Sequence, residues 1–256
     1  MSPQTGTRNS TADRALEILG LFTADSPLHS AADIGRLLHL SRATAYRYLQ
    51  SLVAHQFLED TGEGTFRLGV RVLELARVAR EGFGVSRLAL PEMRRLADDF
   101  QQTVLLTRLG GHSIHCVERE EWHGQFLRLS YDPGVELPIN AGASALVNLA
   151  WLPEESARAL LQRPLRRFTT HTLVDPEAII RRLREIRRAG YVITEAHVDA
   201  DTVGIAAPIH GPQDDVVAGL SIVAVGSRFP AAERERAASA LRAAASRIAR
   251  RLAIAQ

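Results

Sequence analysis

Between Ser30 and Val53 the apolar residues keep a helical period twice, and only His39, Leu40 and Ser41 separate the two runs. That spacing constrains the chain more than any other feature, because two helices joined by so short a turn must cross steeply and share one core. The first run opens on a capping-box pattern, Ser30 followed three residues later by Asp33. Its buried stripe reads as Ile34, Leu37 and Leu38, and it ends near His39. Ser41 is placed to cap the second run. Along LSRATAYRYLQSL (residues 40–52), helical spacing puts Ala45, Tyr48, Leu49, Leu52 and then Val53 on one side. Arg42, Ala43, Tyr46, Arg47 and Gln50 fall on the other.

The flanking segments complete a unit. A helix from Ala12 to Phe22 carries Ala15, Leu16, Ile18, Leu19 and Phe22 on a broad apolar face and stops at Asp25-Ser26-Pro27. Beyond the helix pair, Phe57-Leu58-Glu59 and Thr65-Phe66-Arg67-Leu68 read as strands joined by the glycine-bearing turn 60–64. Two helices across a tight turn, then a hairpin, predict a winged helix-turn-helix, with the helix-turn-helix at about 30–50 and the wing at 57–68. In such a unit the second helix needs one apolar side to seat it and one polar side to reach base edges. Arg42 and Arg47 suit guanine or phosphate, and Gln50 suits adenine. Ser41 and Thr44, near the free N–H groups of the helix start, suit a backbone phosphate. Ala43 and Tyr46 share the outward face. Arg67 alternates with Phe66 and Leu68, so it should point outward to a neighbouring phosphate. Taken singly, two arginines on a helix are most simply a solvated face; the order of elements around them changes that balance.

Residues 69–82 form a further amphipathic pattern with Val72, Leu75, Ala76 and Ala79 on its apolar side, and Gly82 and Gly84 mark a hinge. The expected division is 1–71 for the winged helix-turn-helix, 72–85 for a linker helix and 86–256 for a second domain. There a helix, LPEMRRLADDFQQ, precedes strands near 103–109, 112–119 and 124–131. Helices follow near 143–151, 154–162 and 176–189, then strands near 190–197, 203–209 and 216–225 and a long helix from Pro230. Adjacent strands with flanking helices predict an α+β domain built on an antiparallel sheet.

Bulk properties set the remaining bounds. At 256 residues, 46% hydrophobic, the chain can bury one large core or two modest ones. The longest apolar run, VVAGLSIVAVG (216–226), suits a buried strand and is too short for a bilayer, so no membrane span is expected. The first residues lack an apolar leader core and the single cysteine, Cys116, has no internal partner, which points to the cytoplasm. With 31 basic against 29 acidic residues the net charge is +2, which neither demands nor excludes nucleic acid. Every basic residue is arginine; a composition bias explains that, although arginine does suit bidentate contact with phosphate or guanine.

Rival chemistries find little support. Gly142-Ala143-Ser144 resembles the start of a nucleophile elbow, but that motif needs glycine at position 146, where Leu146 stands. No spacing selects His171, His197 or His210 as the base of a hydrolase. On a strand His112 and Cys116 share a face while His115 points away, so HSIHC does not converge on one metal ion. A pure interaction module with a degenerate winged helix would differ in lacking salt-dependent DNA binding. Neither metal, cofactor nor enzymatic activity is expected.

The chain resembles the IclR family of bacterial transcriptional regulators over nearly its whole length. The matching words are ALEILGLF (15–22), ADIGRLLHLSRATAYRYLQSL (32–52), the H-x-F-L of His55 to Leu58 and FRLG (66–69). They continue with LRLS…LPINAGASAL (127–146), FTTHTLVD (168–175), I-R-R-A-G-Y (186–191) and IAAPIHGPQDDVVAGLSI (205–222). His39 departs from the glycine often found in the family's turn. The resemblance implies binding to double-stranded operator DNA and a GAF-like second domain that holds a small organic acid. Carried over by position, Phe126, Leu129 and Leu137 are apolar pocket wall, and Ala143 and Ser144 are amide donors at a helix start. Thr194 and Glu195 stand where the family often has an acidic pair, and Gly204, Ser221 and Val223 face the ligand from strands. A helix opening after Asn140-Ala141-Gly142 would favour an anion there through its free N–H groups. Ala145 and Leu146 replace a common glycine and lysine, and Gly204 and Val223 replace more polar groups, implying a roomier, more apolar pocket than a two-carbon acid such as glyoxylate needs. The ASAL and RLSY words are closer to the subgroup that senses aromatic acids of the phenylpropanoid type. Because one recognition helix covers few bases, a homodimer is expected, through the linker helix and the first domain's apolar face, with a tetramer also open. Effector binding can regulate only if its affinity differs between two arrangements of the DNA-binding domains.

Overall fold

The structure is a computed structural model that describes residues 10–82, 84–124 and 131–254. The chain divides into two compact units, Met1–Gly82 and Phe83–Gln256. Among the described residues no helix is long and apolar enough to cross a membrane.

The first unit runs α1 (Ser10–Gly20), β1 (His29–Ser30), α2 (Ala31–Leu37), α3 (Arg42–Ala54), β2 (Leu58–Asp60), β3 (Thr65–Leu68) and α4 (Val70–Gly82). The capping box is present: the Ser30 hydroxyl accepts from the Asp33 amide at 3.1 Å and the Asp33 carboxylate accepts from the Ser30 amide at 3.1 Å. The Ser30 hydroxyl and amide, and then Arg36, hold the Asp33 carboxyl below its ordinary range. At its other end α2 stops because His39 turns left-handed (φ 54°) and the Leu40 amide reaches back to the Gly35 carbonyl at 2.8 Å. Gly35 makes room for this turn, since a Cβ there would lie 3.0 Å from the Leu40 carbonyl oxygen. A β-carbon in the left-handed region is strained, so His39→Gly should stabilise this unit by about 1 kcal/mol, read as a higher urea midpoint of its unfolding transition.

The core of this unit is Ile18, Phe22, Ile34, Ala45, Leu49, Leu52, Leu58 and Phe66. Three sequence expectations need correction here. Leu16 and Leu37, read as buried, are 66% and 50% exposed, because the crossing of α1, α2 and α3 closes over a narrower stripe than the apolar pattern offers. The predicted apolar side of α4 is likewise largely exposed: Val72 is half-buried, while Leu75, Ala76 and Ala79 are exposed, alongside Leu73 at 71%. The two-residue strand β1 is an addition to the predicted elements; it pairs with β3 and makes the wing a three-stranded sheet in the order β1-β3-β2. Two residues carry no period for a sequence to show.

The second unit opens with α5 (Gly84–Phe100), which starts before the predicted segment and holds Pro91 inside it. Then come β4 (Thr103–Gly110), β5 (Ser113–Glu120), β6 (Glu136–Leu137), α6 (Ala143–Leu149), α7 (Glu154–Leu161), α8 (Pro176–Ala189), β7 (Val192–Glu195), β8 (Thr202–His210), β9 (Val216–Val225) and α9 (Ala231–Ile254). The predicted strand at 124–131 falls almost wholly outside the described residues. One antiparallel sheet runs β6-β5-β4-β9-β8-β7. Side chains alternate across it. Val104, Leu106, Ile205, Leu220 and Ile222 pack under α5 and α9. On the opposite face Ala206 packs with α6 and α8 through Leu146, Val147, Ile180 and Leu183. Leu105, Gly204, Ser221 and Val223 alternate with the first set, which brings them to the α6 side of the sheet.

Candidate functional site

Two places in the molecule have residues arranged for something other than packing. The first is the outer face of α3. Its N-cap is Ser41, whose hydroxyl accepts from the Thr44 amide at 3.1 Å and lies 2.8 Å from the Thr44 hydroxyl. Ala45, Leu49 and Leu52 are buried, as their spacing predicts, and Arg42, Ala43, Tyr46, Arg47 and Gln50 are exposed. Neither Arg42 nor Arg47 makes a hydrogen bond or ion pair among the described residues. Arg14, Arg36, Arg67 and Arg71 of the same unit, by contrast, each lie on a carboxylate. Arg42 opens the helix with no acidic residue in the first turn, a position where the helix dipole disfavours positive charge. A cation placed against its own helix and left without a partner fits an external anion. Tyr46 is steadied by an edge contact with Phe66, ring centroids 6.5 Å apart.

Arg67 differs from expectation. It points outward, but its register partner across the hairpin is Glu59, whose carboxylate accepts from Arg67 at 2.9 and 2.8 Å. Its charge is therefore already compensated, where the sequence suggested a free phosphate contact.

The second place is a pocket on the α6 side of the large sheet, partly open to solvent. Its wall takes Leu105 from β4, Gly204 from β8, Val223 from β9 and Thr194 from β7. Leu137, Pro138, Ala141, Gly142, Ala143 and Ser144 come from the approach to α6 and its first turn. Tyr131, His197, Val198 and Thr202 complete it. Gly204 is needed for this packing: a Cβ there would lie 3.0 Å from the Thr194 hydroxyl and 3.1 Å from Ala143 Cβ. Gly142 takes φ 84° as the N-cap of α6, which carries no side-chain cap. The buried Asn140 braces the entry by donating to the carbonyls of Arg166 (3.0 Å) and Leu173 (2.7 Å).

The FTTHT segment is a clamp. The buried Thr172 hydroxyl accepts from the amides of Phe168 (3.1 Å) and Thr169 (2.9 Å) and donates to the His197 carbonyl at 2.7 Å, and the Thr169 hydroxyl donates to the Ala196 carbonyl. This fixes the 196–197 bend, where Ala196 has φ 54°. Burial, then the charges of Arg182 and His171, holds the His197 imidazole below its ordinary pKa. Burial and then Asp199 push the Tyr131 phenol up.

Of the ligand residues expected from sequence, the fold gathers Leu137, Ala143, Ser144, Thr194, Gly204 and Val223 around this cavity. Ser221 lies behind the wall, fully buried, its hydroxyl 2.8 Å from that of Ser144. Glu195 is not part of it: strand alternation turns it outward from Thr194, onto Arg234 at 2.7 Å. Phe126 and Leu129 lie outside the described residues. Sequence reasoning misses Leu105, Tyr131, Pro138, Val198 and Thr202, and it considers His197 only as a hydrolytic base. Leu105 is accessible in principle through the period-two alternation of β4, but the loop residues carry no local signal. Ser144 is bonded to Ser221, and no histidine hydrogen-bonds to it among the described residues.

A winged helix-turn-helix followed by a separate α+β unit with a lined pocket is the arrangement of a class, the two-domain DNA-binding transcriptional regulators. The family model described as the IclR helix-turn-helix domain matches residues 11–62, and that of the bacterial transcriptional regulator IclR C-terminal matches residues 78–250. The chain belongs to the IclR family, and it is a DNA-binding regulator rather than an enzyme. It is 29% identical over 226 residues to the HTH-type transcriptional regulator XynR of Escherichia coli K12, covering 87% of this chain and 89% of that one. A putative IclR regulator from Silicibacter sp. TM1040 superposes with a TM-score of 0.86 at 27% identity, over 95% of this chain and 96% of that one. An IclR homologue from Microbacterium hydrocarbonoxydans, solved in complex with 4-hydroxybenzoate, does so with a TM-score of 0.82 at 31% identity, over 94% and 98%.

Proposed function

We propose that this regulator reads double-stranded operator DNA as a homodimer in the cytoplasm, through α3, and that a small aromatic acid in the α6-side cavity governs its binding. The observation that carries the first part is the pair of unpartnered guanidinium groups on the exposed face of a capped helix. Arg42, Arg47 and Gln50 are the base-reading candidates. Ser41 and Thr44 are assigned to a phosphate, and Ala43 and Tyr46 to apolar contact with bases and sugar. Arg67 serves as a secondary phosphate contact, shared with Glu59. The uncovered apolar stripe of α4, including Leu73, Leu75 and Val78, favours this helix, the proposed linker, as a protomer–protomer surface.

For the effector, the apolar wall of Leu105, Tyr131, Leu137, Val198 and Val223 supports a ring-sized ligand, with few polar groups to orient it. The 4-hydroxybenzoate complex of a 31% identical relative favours the same class. Calorimetric titration of the full chain with 4-hydroxybenzoate and with glyoxylate tests this. Tighter binding of the aromatic acid, with a change in operator affinity measured by fluorescence anisotropy, is the expected result. A preference for the two-carbon acid would overturn it.

A further inference from the structure

The polar groups on the cavity wall differ in how they are employed. Ser144 shares a hydrogen bond with Ser221, the Thr194 hydroxyl donates to the Gly204 carbonyl at 3.5 Å, and the Thr202 hydroxyl donates to the Asp199 carbonyl at 2.9 Å. The His197 imidazole is different. Its Nδ1 is sealed from solvent and has no hydrogen-bond partner among the described residues. Burying an unpaired N–H costs more than burying an unpaired lone pair, so the favoured tautomer leaves Nδ1 bare and carries the proton on Nε2. The ring edge that can line the cavity is then a donor. Its place is fixed by the Thr169 and Thr172 hydroxyls on the 196–197 carbonyls. The charged groups around it come from separate elements: Arg182 on α8 and His171 in the clamp bear on the imidazole, and Asp199 bears on Tyr131. Arg182 thus contributes positive potential at the ring.

We infer, resting on the effector reading above, that His197 recognises the effector's carboxylate, its Nε2–H donating to a carboxylate oxygen while the apolar wall takes the rest of the molecule. A proton linkage follows. In the free protein, burial first and then the neighbouring Arg182 and His171 lower the imidazole's proton affinity. A bound carboxylate offsets the Arg182 charge and raises the imidazole's proton affinity, so binding takes up protons. Affinity for the acid should therefore rise as pH falls from about 8 to about 6, a range in which a benzoic acid stays ionised.

Calorimetry with 4-hydroxybenzoate and its neutral amide, on the full chain and on His197→Leu and His197→Gln, decides it. The parent protein is expected to prefer the acid. His197→Leu should weaken the acid tenfold to about a hundredfold, affect the amide less, and abolish the pH dependence. His197→Gln, which keeps a donor, should recover part of the affinity but not the pH dependence. Acid binding in His197→Leu that equals the parent's in strength and pH slope would overturn the assignment while leaving the effector reading intact. No binding of either probe by the parent would sink both. Thermal melts check the fold of each variant; if the leucine variant does not fold, a pH-independent parent affinity is itself decisive against the proposal.

Discussion

Replacing Arg42 and Arg47 together with alanine should cost operator binding on the order of 4–12 kcal/mol if both read bases and about half that if only one does, since a base contact is worth about 1–3 kcal/mol and the proposed two-fold dimer forfeits each contact twice. Fold stability should hardly change, because neither side chain has a hydrogen-bond or ion-pair partner among the described residues and both are exposed. The single variants separate two roles. If Arg42 reads guanine, Arg42→Ala relaxes specificity at one position in each half-site. If it binds phosphate, affinity falls uniformly across sequences and the salt slope drops by about 1 for each phosphate no longer neutralised. Anisotropy with operator and scrambled duplexes at two salt concentrations distinguishes these. A double variant that binds operator as tightly as the parent would end the claim that α3 is the reading helix.

Gly69→Ala should destabilise the first unit by about 3 kcal/mol or more, although alanine is elsewhere among the mildest of replacements. Gly69 is buried, its amide donates to the Phe57 carbonyl at 2.8 Å, and the chain there lies against the bend between α3 and β2. A Cβ at Gly69 would fall 2.3 Å from the Gln56 carbonyl oxygen and 3.2 Å from the Leu58 carbonyl carbon. Both obstacles are main chain, so no rotamer change relieves them; the wing must lift away from α3. Urea unfolding should show an early loss of the DNA-binding unit with effector binding retained. A midpoint stability within about 0.5 kcal/mol of the parent would refute the close approach.

What the sequence made legible was whatever repeats within a few residues. The helix periods, the Ser30 capping box and the cap at Ser41 all have local causes, and each is present. Coverage is not local. Amphipathicity identified the apolar sides of α1 and α4, but whether a neighbour lies on them depends on packing distant in sequence; Leu16 and Leu75 are exposed for that reason. The same distinction runs through the cavity. Val223 and Gly204 sit on strands whose alternation is readable, and the resemblance placed Ala143 and Ser144. Tyr131, His197 and Val198 arrive from loops, and the 196–198 stretch is held by the clamp of Thr169 and Thr172. Glu59 likewise neutralises Arg67 only because the hairpin register sets them opposite each other.

The Ser144–Ser221 pair at the back of the cavity limits what can set ligand choice. Two hydroxyls 2.8 Å apart hold two protons, and their mutual bond uses one. When Ser221 is the donor, Ser144 keeps a proton to offer inward; when Ser144 is the donor, it shows only lone pairs. Rotation of both hydroxyls thus exchanges the polarity of this patch, so it can meet either a carbonyl or an amine. On the reading proposed above, discrimination among candidate molecules would then rest on the less adaptable parts of the chamber, its contour and its imidazole.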